Sequence, residues 1–335
     1  MTGARVLVTG WSSVLHGEAT AGDVLAMRTV ERALRVAGIS QDTAWSAVMR
    51  PPGGLALDDV DPRQYSHLVF ACGPASGEAL LELHGRFAHC TRIAVGVSVL
   101  DPSDPAVTGF HRVIARDRPG APPRPDLASV APAGATPMPP VLGVFLTGGQ
   151  REYGARRRHE DVMDTVGSWL GGLGEGLLDL DTRLDPRDWR LPTTPEQLQA
   201  VIARLDTVVT MRMHGLVLAL RSAVPVLALD PVEGGGKVTA QARALGWPAV
   251  LGSGDLTPSV LDETLQWCLS TEGRHAARYA AGRMGWPADG PPGAEDAVAS
   301  AVGAVVDGQL DELVEAVRAP RAACDGTDEL RITRV

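Results

Sequence analysis

The residues with the clearest chemical potential lie close together, in the segment DTVVTMRMHGLVLALRSAVPVLALDPVEGGGKV from Asp206 to Val238. Arg212 and His214 sit where an apolar strand pattern ends and a helical pattern begins. In an open parallel sheet that edge is where ligands bind. The backbone N–H groups opening the next helix, from about Gly215, favour an anion at the same spot. An arginine adds a planar fork that fits phosphate or carboxylate, and a histidine adds a group that gives or takes a proton near neutral pH. The pattern predicts an anion site with a proton-transfer group beside it. The plainer alternative is that Arg212 pairs with a carboxylate and His214 packs at the helix start.

Lys237 extends this set. It is the only lysine in a chain whose lysines and arginines total 31. The abundance of Ala, Gly, Pro and Arg fits a GC-rich genome, in which arginine codons prevail. A lone lysine then survives either by chance or because a compact ammonium on a flexible stem does what a guanidinium does not. Lys237 follows Gly234-Gly235-Gly236, one strand and one loop after His214. That spacing returns it to the same sheet edge.

These residues need a scaffold of alternating strands and helices, and the chain supplies one. Strand patterns occur at Arg5–Thr9, His67–Ala71 and Arg92–Gly96, with a helix over Glu78–Phe87 between the last two. A helix from about Asp23 places Val24, Met27, Val30, Leu34 and Ala37 on one face and stops at Gly38. This is the rhythm of a parallel sheet. Residues 119–140 break it with a proline-rich run that reads as a linker. The rhythm resumes with a strand at Val141–Leu146 and a helix over His159–Leu170. A helix follows at Thr194-Pro195-Glu196-Gln197, with a cap, a proline and a returning glutamine, whose buried stripe is Leu198, Val201, Ile202 and Leu205. Strands at Thr207–Met211 and Val226–Leu229 flank a helix through Val217–Arg221. Further helices open at Thr257-Pro258 and cover about Ala294 to Val317. The expected organisation is an N-terminal Rossmann-like domain over 1–118, a linker over 119–140, a second Rossmann-like domain over 141–320 and a tail over 321–335.

Composition limits the functional classes. With 335 residues, two domains are the default. Apolar residues at 44 % and charged residues at 21 % describe an ordinary globular protein. A net charge of −9 offers no basic surface for nucleic acid. The run Arg156-Arg157-Arg158 reads as a solvated face. Cys72, Cys90, Cys268 and Cys324 are scattered and lack zinc-ligand spacing, so reduced thiols in a cytoplasmic protein are expected. His16, His84, His89 and His111 also lack ligand spacing, and no metal is expected. The N-terminus is unlike a signal peptide, and no apolar run is long enough to span a bilayer. The glycines after Thr9 do not make a dinucleotide fingerprint. The scattered tryptophans read as core or interface.

The segment TMRMHGLVLALRSAVPVLALD resembles the signature of the polysaccharide pyruvyl transferase family, with its Arg-x-His-Gly turn, small-residue helix and Val-Pro strand. Lys237-Val238 resembles a Lys-Val pair that follows in the family. Gly22-Asp23 resembles an early Gly-Asp turn, Ile93–Val97 a mid-domain strand, and Val113–Asp117 an Arg-Asp stretch. The sequence departs from the family at Cys72–Gly77, where a glycine-rich turn is usual, and in its proline-rich linker.

The resemblance implies a GT-B-like α/β fold, with two Rossmann-like domains facing a cleft. It implies transfer of pyruvate from phosphoenolpyruvate onto two hydroxyls of a sugar or small-metabolite acceptor, as a ketal. It implies no cofactor beyond phosphoenolpyruvate as donor substrate. Arg212, Gly215 and Lys237 would then bind the donor and His214 would be the acid. Arg151 is either a second anion clamp or a surface arginine. Asp23, with Gly22, either caps its helix or orients an acceptor hydroxyl. Two other readings stay open: a sugar-nucleotide glycosyltransferase on the same fold, and a catalytically silent binding protein. The near absence of glutamate between His214 and Val260, where only Glu233 occurs, counts against the first. An oligomer is compatible with all three.

Overall fold

The computed structural model describes residues 4–14, 19–134, 137–284 and 299–318. The chain divides into two compact units, Met1–Pro137 and Met138–Val335.

Unit 1 contains six strands: β1 (Arg5–Gly10), β2 (Ser40–Trp45), β3 (Leu55–Ala56), β4 (His67–Ala71), β5 (Thr91–Ser98) and β6 (Arg112–Asp117). They form one parallel sheet in the order β3-β2-β1-β4-β5-β6. This is the doubly wound order with its switch point between β1 and β4. The helices are α1 (Ala21–Val36), α2 (Glu78–Arg86) and the short α3 (Pro105–Thr108). Strand alternation divides the core between the two sheet faces. Val6, Val8 and Val69 pack with Met27 and Val30 of α1, whereas Leu7, Leu68 and Phe70 pack with Leu80, Leu83 and Phe87 of α2 and its flank.

Unit 2 contains β7 (Val141–Phe145), β8 (Gly176–Asp179), β9 (Thr207–Thr210), β10 (Val226–Asp230) and β11 (Val250–Gly252). They form a parallel sheet in the order β11-β10-β9-β7-β8. This is the other common doubly wound order, and its switch point falls between β7 and β9. The helices are α4 (His159–Leu170), α5 (Pro195–Ile202), α6 (Met213–Arg221), α7 (Lys237–Leu245), α8 (Pro258–Leu269), α9 (Thr271–Arg283) and α10 (Ala299–Arg318). The central strands β9 and β10 are buried on both faces, as helix-covered parallel strands must be. The chain is thus α/β with two Rossmann-like units. Among the described residues, no helix is long and apolar enough to cross a membrane.

Several expectations change in detail. The proline-rich stretch is not a free connector throughout. Asp126 accepts hydrogen bonds from Arg116 Nη1 at 2.5 Å and from the Ala128 N–H at 2.8 Å, and the Thr29 hydroxyl of α1 donates to the Leu127 carbonyl at 2.9 Å. Residues 126–130 therefore belong to unit 1. Val201 is no part of a buried stripe, being 39 % exposed. Ala37 is the exposed C-cap of α1 rather than a face residue. The helix after Arg212 begins at Met213, two residues before the expected start near Gly215. His16, Cys324, the tail 321–335 and the first residues of the expected last helix lie outside the described residues.

Candidate functional site

Three sequence-predicted residues fall on the carboxyl edge of the unit 2 sheet. Arg212 is the N-cap residue of α6, directly after β9. His214 is the second residue of α6, and it is exposed. Lys237 opens α7, after the neighbouring strand β10. The fold brings β9 and β10 side by side, so both helix starts share one edge.

The turn into α6 is built by Thr210 and Gly215. The Thr210 hydroxyl accepts from the Arg212 N–H at 2.9 Å and donates to the Arg212 carbonyl at 3.1 Å. A Cβ on Gly215 would lie 2.3 Å from that hydroxyl oxygen. Gly215 is therefore needed for close approach of helix and strand, which is its visible role. No side chain caps α6. Its first N–H groups retain the partial positive charge that an uncapped helix start carries.

Arg212 forms an ion pair with Asp181, from Nη2 to Oδ1 at 3.3 Å, with both side chains about one-third exposed or less. Asp181 Oδ1 also accepts from the Arg183 N–H at 2.9 Å. Arg212 Nε is buried and has no partner. The guanidinium thus keeps unused donor capacity next to the open helix start. An anion fits there by charge and by hydrogen bonding.

The start of α7 is different. Asp230, fully buried at the end of β10, accepts from the N–H groups of Val232 at 3.1 Å, Gly236 at 2.7 Å and Thr239 at 2.8 Å. One carboxylate thereby caps α7 and shapes the glycine loop, in which Gly234 and Gly235 have φ of 78° and 90°. Those angles suit glycine and strain other residues. This use of Asp230 is not visible in the sequence beyond an Asp-Pro at a strand end. It leaves the α7 N-terminus occupied, while Lys237 itself is half-buried and has no ion pair among the described residues.

The loop after β7 enters the switch point between β7 and β9. Arg151 lies in the loop after β7, exposed and with no ion pair among the described residues. The arginine run behind it is not a freely solvated face. Arg157 binds Glu160 and the carbonyls of Gly148 and Gly149, and Arg158 binds Glu233 and the Ala155 carbonyl. The Arg158 N–H donates to the Pro231 carbonyl and the Glu233 N–H to the Arg156 carbonyl, each at 2.8 Å. These contacts tie the β7 loop to the β10 loop. His159, at the first position of α4, is fully buried. Its Nε2 lies 3.2 Å from Gln150 Oε1 and its Nδ1 has no partner. Burial, and then the Arg157 charge, push its pKa below the ordinary histidine value. Sequence reasoning saw His159 only as a helix start.

In unit 1, Gly22 and Asp23 open α1. Asp23 completes a capping box: its Oδ2 accepts from the Thr20 N–H and hydroxyl, both at 2.8 Å, and its own N–H donates to Thr20 Oγ1 at 3.3 Å. The capping alternative accounts for these contacts. A Cβ on Gly22 would meet only Thr20 Oγ1, at 3.5 Å. At the departure from the family pattern, Cys72 takes a left-handed φ of 66° and is buried, and burial pushes its thiol up to about 11. Arg116 of the Arg-Asp stretch is spent on Asp117 at 2.7 Å and on Asp126 and the Ser98 hydroxyl at 2.5 Å. His84 and His89 bond to the carbonyls of Ala106 and Pro62, and His111 accepts from the Arg92 N–H.

Residues 174–231 match the family described as polysaccharide pyruvyl transferase. Over that segment the chain is similar to the polysaccharide pyruvyl transferase family. It is a transferase. The pyruvyl transferase segment runs from β8 to the end of β10, so it contains Asp181, Arg212, His214, Gly215 and Asp230 and stops before Lys237. Comparison with curated proteins gives no match. Among solved structures, the calicheamicin glycosyltransferase CalG4 is 15 % identical, with 96 % of this chain and 100 % of that chain covered and a TM-score of 0.32. The spinosyn forosaminyltransferase SpnP is 14 % identical over 94 % of this chain and 100 % of that chain, with a TM-score of 0.32. The E. coli heptosyltransferase WaaC with ADP is 14 % identical over 79 % and 97 %, with a TM-score of 0.26.

Proposed function

We propose that the chain transfers pyruvate from phosphoenolpyruvate to a diol of a sugar or sugar-containing acceptor, forming a ketal. The observation that carries this reading is the contrast between two helix starts within or beside the pyruvyl transferase segment. The start of α7 is capped by Asp230, whereas α6 is uncapped and has Arg212 at its head, with a buried, unpartnered Nε. A small dianionic or trianionic donor suits that arrangement.

The chemistry proceeds in two additions. A proton reaches the methylene carbon of phosphoenolpyruvate, which becomes a methyl group and leaves its neighbouring carbon electron-poor. One acceptor hydroxyl attacks that carbon, phosphate departs, and the second hydroxyl closes the ketal. Of the two hydroxyl protons, one replaces the proton given to the methyl carbon and the other leaves with phosphate. His214, exposed beside Arg212, is the group assigned to supply the first proton. Arg212 and the α6 N–H groups hold the carboxylate and phosphate, with Lys237 and Arg151 as further cations.

A thermal-shift comparison of phosphoenolpyruvate, UDP, GDP and NAD tests the donor. Phosphoenolpyruvate raises the midpoint and the nucleotides do not, because a ligand that binds only the folded state stabilises it by mass action. In Lys237→Met the donor binds more weakly by about 1.5–3 kcal/mol, the range for a hydrogen bond to a charged group. A shift with UDP or GDP and none with phosphoenolpyruvate overturns the reading in favour of a sugar-nucleotide enzyme.

A further inference from the structure

A cavity of about 760 Å³ opens on the carboxyl edge of β7 and β8. Its walls include Leu146, Asp179, Asp181, Trp189, Thr193 and Val201. The volume lies in the range of small-molecule sites. Two features of its lining have no use in holding the fold. Trp189 is 87 % exposed, an unusual position for the largest apolar side chain, and its ring carries only the Arg190 guanidinium, 5.2 Å from the centroid. Asp179, at the end of β8, is exposed. The third feature is Asp181, which lines this cavity and holds Arg212 at 3.3 Å. One carboxylate therefore borders both this cavity and the anion site.

We infer that this cavity is the acceptor subsite and that it takes a polyhydroxylated sugar ring stacked on Trp189. A pyranose has one apolar C–H face and a rim of hydroxyls. An exposed indole matches the face, much as aromatic rings hold amphipathic partners. Carboxylates accept hydrogen bonds from hydroxyls, and Asp179 and Asp181 stand ready to do so. Thr193 offers a hydroxyl, and Leu146 and Val201 give an apolar floor. The inference rests on the pyruvyl-transfer reading for its chemical purpose, because a ketal needs both acceptor hydroxyls next to the donor carbon. The Asp181–Arg212 pair supplies that adjacency within unit 2. A protein surface docked on the same tryptophan is less well matched, since the patch is concave and rimmed by carboxylates.

A mixed glycan array probed with the wild type, Trp189→Ala and Asp179→Asn tests this, alongside a phosphoenolpyruvate thermal shift on each. Both substitutions are at exposed positions and leave the fold intact, which circular dichroism checks. The wild type retains a subset of glycans. Trp189→Ala binds that subset at least about tenfold more weakly, and Asp179→Asn weakens it as well, while the phosphoenolpyruvate shift is unchanged in both. Equal glycan binding by wild type and Trp189→Ala overturns the inference. So does a wild type that responds to phosphoenolpyruvate and retains no glycan, or one that self-associates through Trp189 with glycan binding unaffected. Trp189-dependent glycan binding with no response to phosphoenolpyruvate upholds the subsite and overturns the pyruvyl-transfer reading.

Discussion

The Asp230 carboxylate accepts a hydrogen bond from the Gly236 backbone N–H at 2.7 Å, and in doing so it sets where α7 begins. Lys237 is the next residue, so its position at the sheet edge depends on a buried acid at the end of β10. Asp230→Ala leaves the N–H groups of Val232, Gly236 and Thr239 without their acceptor. Each buried unsatisfied donor costs about 1–3 kcal/mol. Urea unfolding is expected to show a loss in that range or somewhat above it. Asp230→Asn retains one acceptor oxygen and loses less. Equal stability of Asp230→Ala and wild type contradicts the capping role.

Gly215 and Thr210 are packed without room for a methyl group. In an exposed helix alanine is favoured over glycine by about 1 kcal/mol. Here the added Cβ meets Thr210 Oγ1 at 2.3 Å, and that hydroxyl already holds both backbone groups of Arg212. Overpacking of this kind costs about 1–3 kcal/mol, so Gly215→Ala is destabilising on balance. It also shifts Arg212 and weakens phosphoenolpyruvate binding. In the double variant with Thr210→Ala the 2.3 Å contact is gone and only the 3.1 Å approach to the residue 210 Cβ remains, so the combined loss of stability is smaller than the sum of the single losses. Additive losses, measured by the same urea titrations, refute the steric account.

The sequence made the sheet edge around Arg212 legible for a definite reason. Central strands such as β9 and β10 are continuous apolar runs, and the change to helical periodicity marks their ends. Edge strands carry no such signal. β2 reads SQDTAW and is mostly half-buried, and β8 reads GLLD with Leu177 and Leu178 exposed, so neither stands out from a loop. The partners of the site residues are also hidden. Asp181 meets Arg212 only because β8 and β9 flank β7 on opposite sides, and no local spacing encodes that. Trp189 reads as core or interface by type, and its exposure is a property of the folded loop. His159 is buried by packing that its neighbours in sequence, three arginines and two acids, do not suggest.

His159 gives a pH dependence whose sign follows from its surroundings. Burial, then the Arg157 charge, lower its pKa, while Glu160, Asp230 and Glu152 oppose the shift. The folded state therefore holds the imidazole neutral, and the unfolded chain protonates it below about pH 6.5. The unfolded state binds the extra proton between the lowered folded pKa and about 6.5, so stability falls as pH drops through that window and is unaffected above it. His84 shifts in the same direction by burial, and a variant isolates His159. Urea midpoints at pH 7.5 and 5.5 are expected to differ more for wild type than for His159→Gln. An equal difference assigns the acid sensitivity elsewhere.

On the proposed pyruvyl-transfer reading, His214 separates binding from chemistry. It is exposed, follows Arg212 by two residues and makes no side-chain hydrogen bond among the described residues. Its removal therefore costs little stability. Arg212, the open α6 N–H groups and Lys237 remain to hold the donor, so His214→Gln is expected to bind phosphoenolpyruvate almost as wild type does. Its turnover falls by about 10²–10⁴-fold, the usual contribution of a positioned acid. Asp181→Asn acts in the opposite sense: it releases Arg212 from its ion pair, changes donor and acceptor binding together, and leaves the proton-transfer group in place. Isothermal titration with phosphoenolpyruvate and single-turnover release of phosphate distinguish the two. If His214→Gln turns over normally and loses donor affinity, the histidine is a phosphate ligand, and the proton must come from another residue.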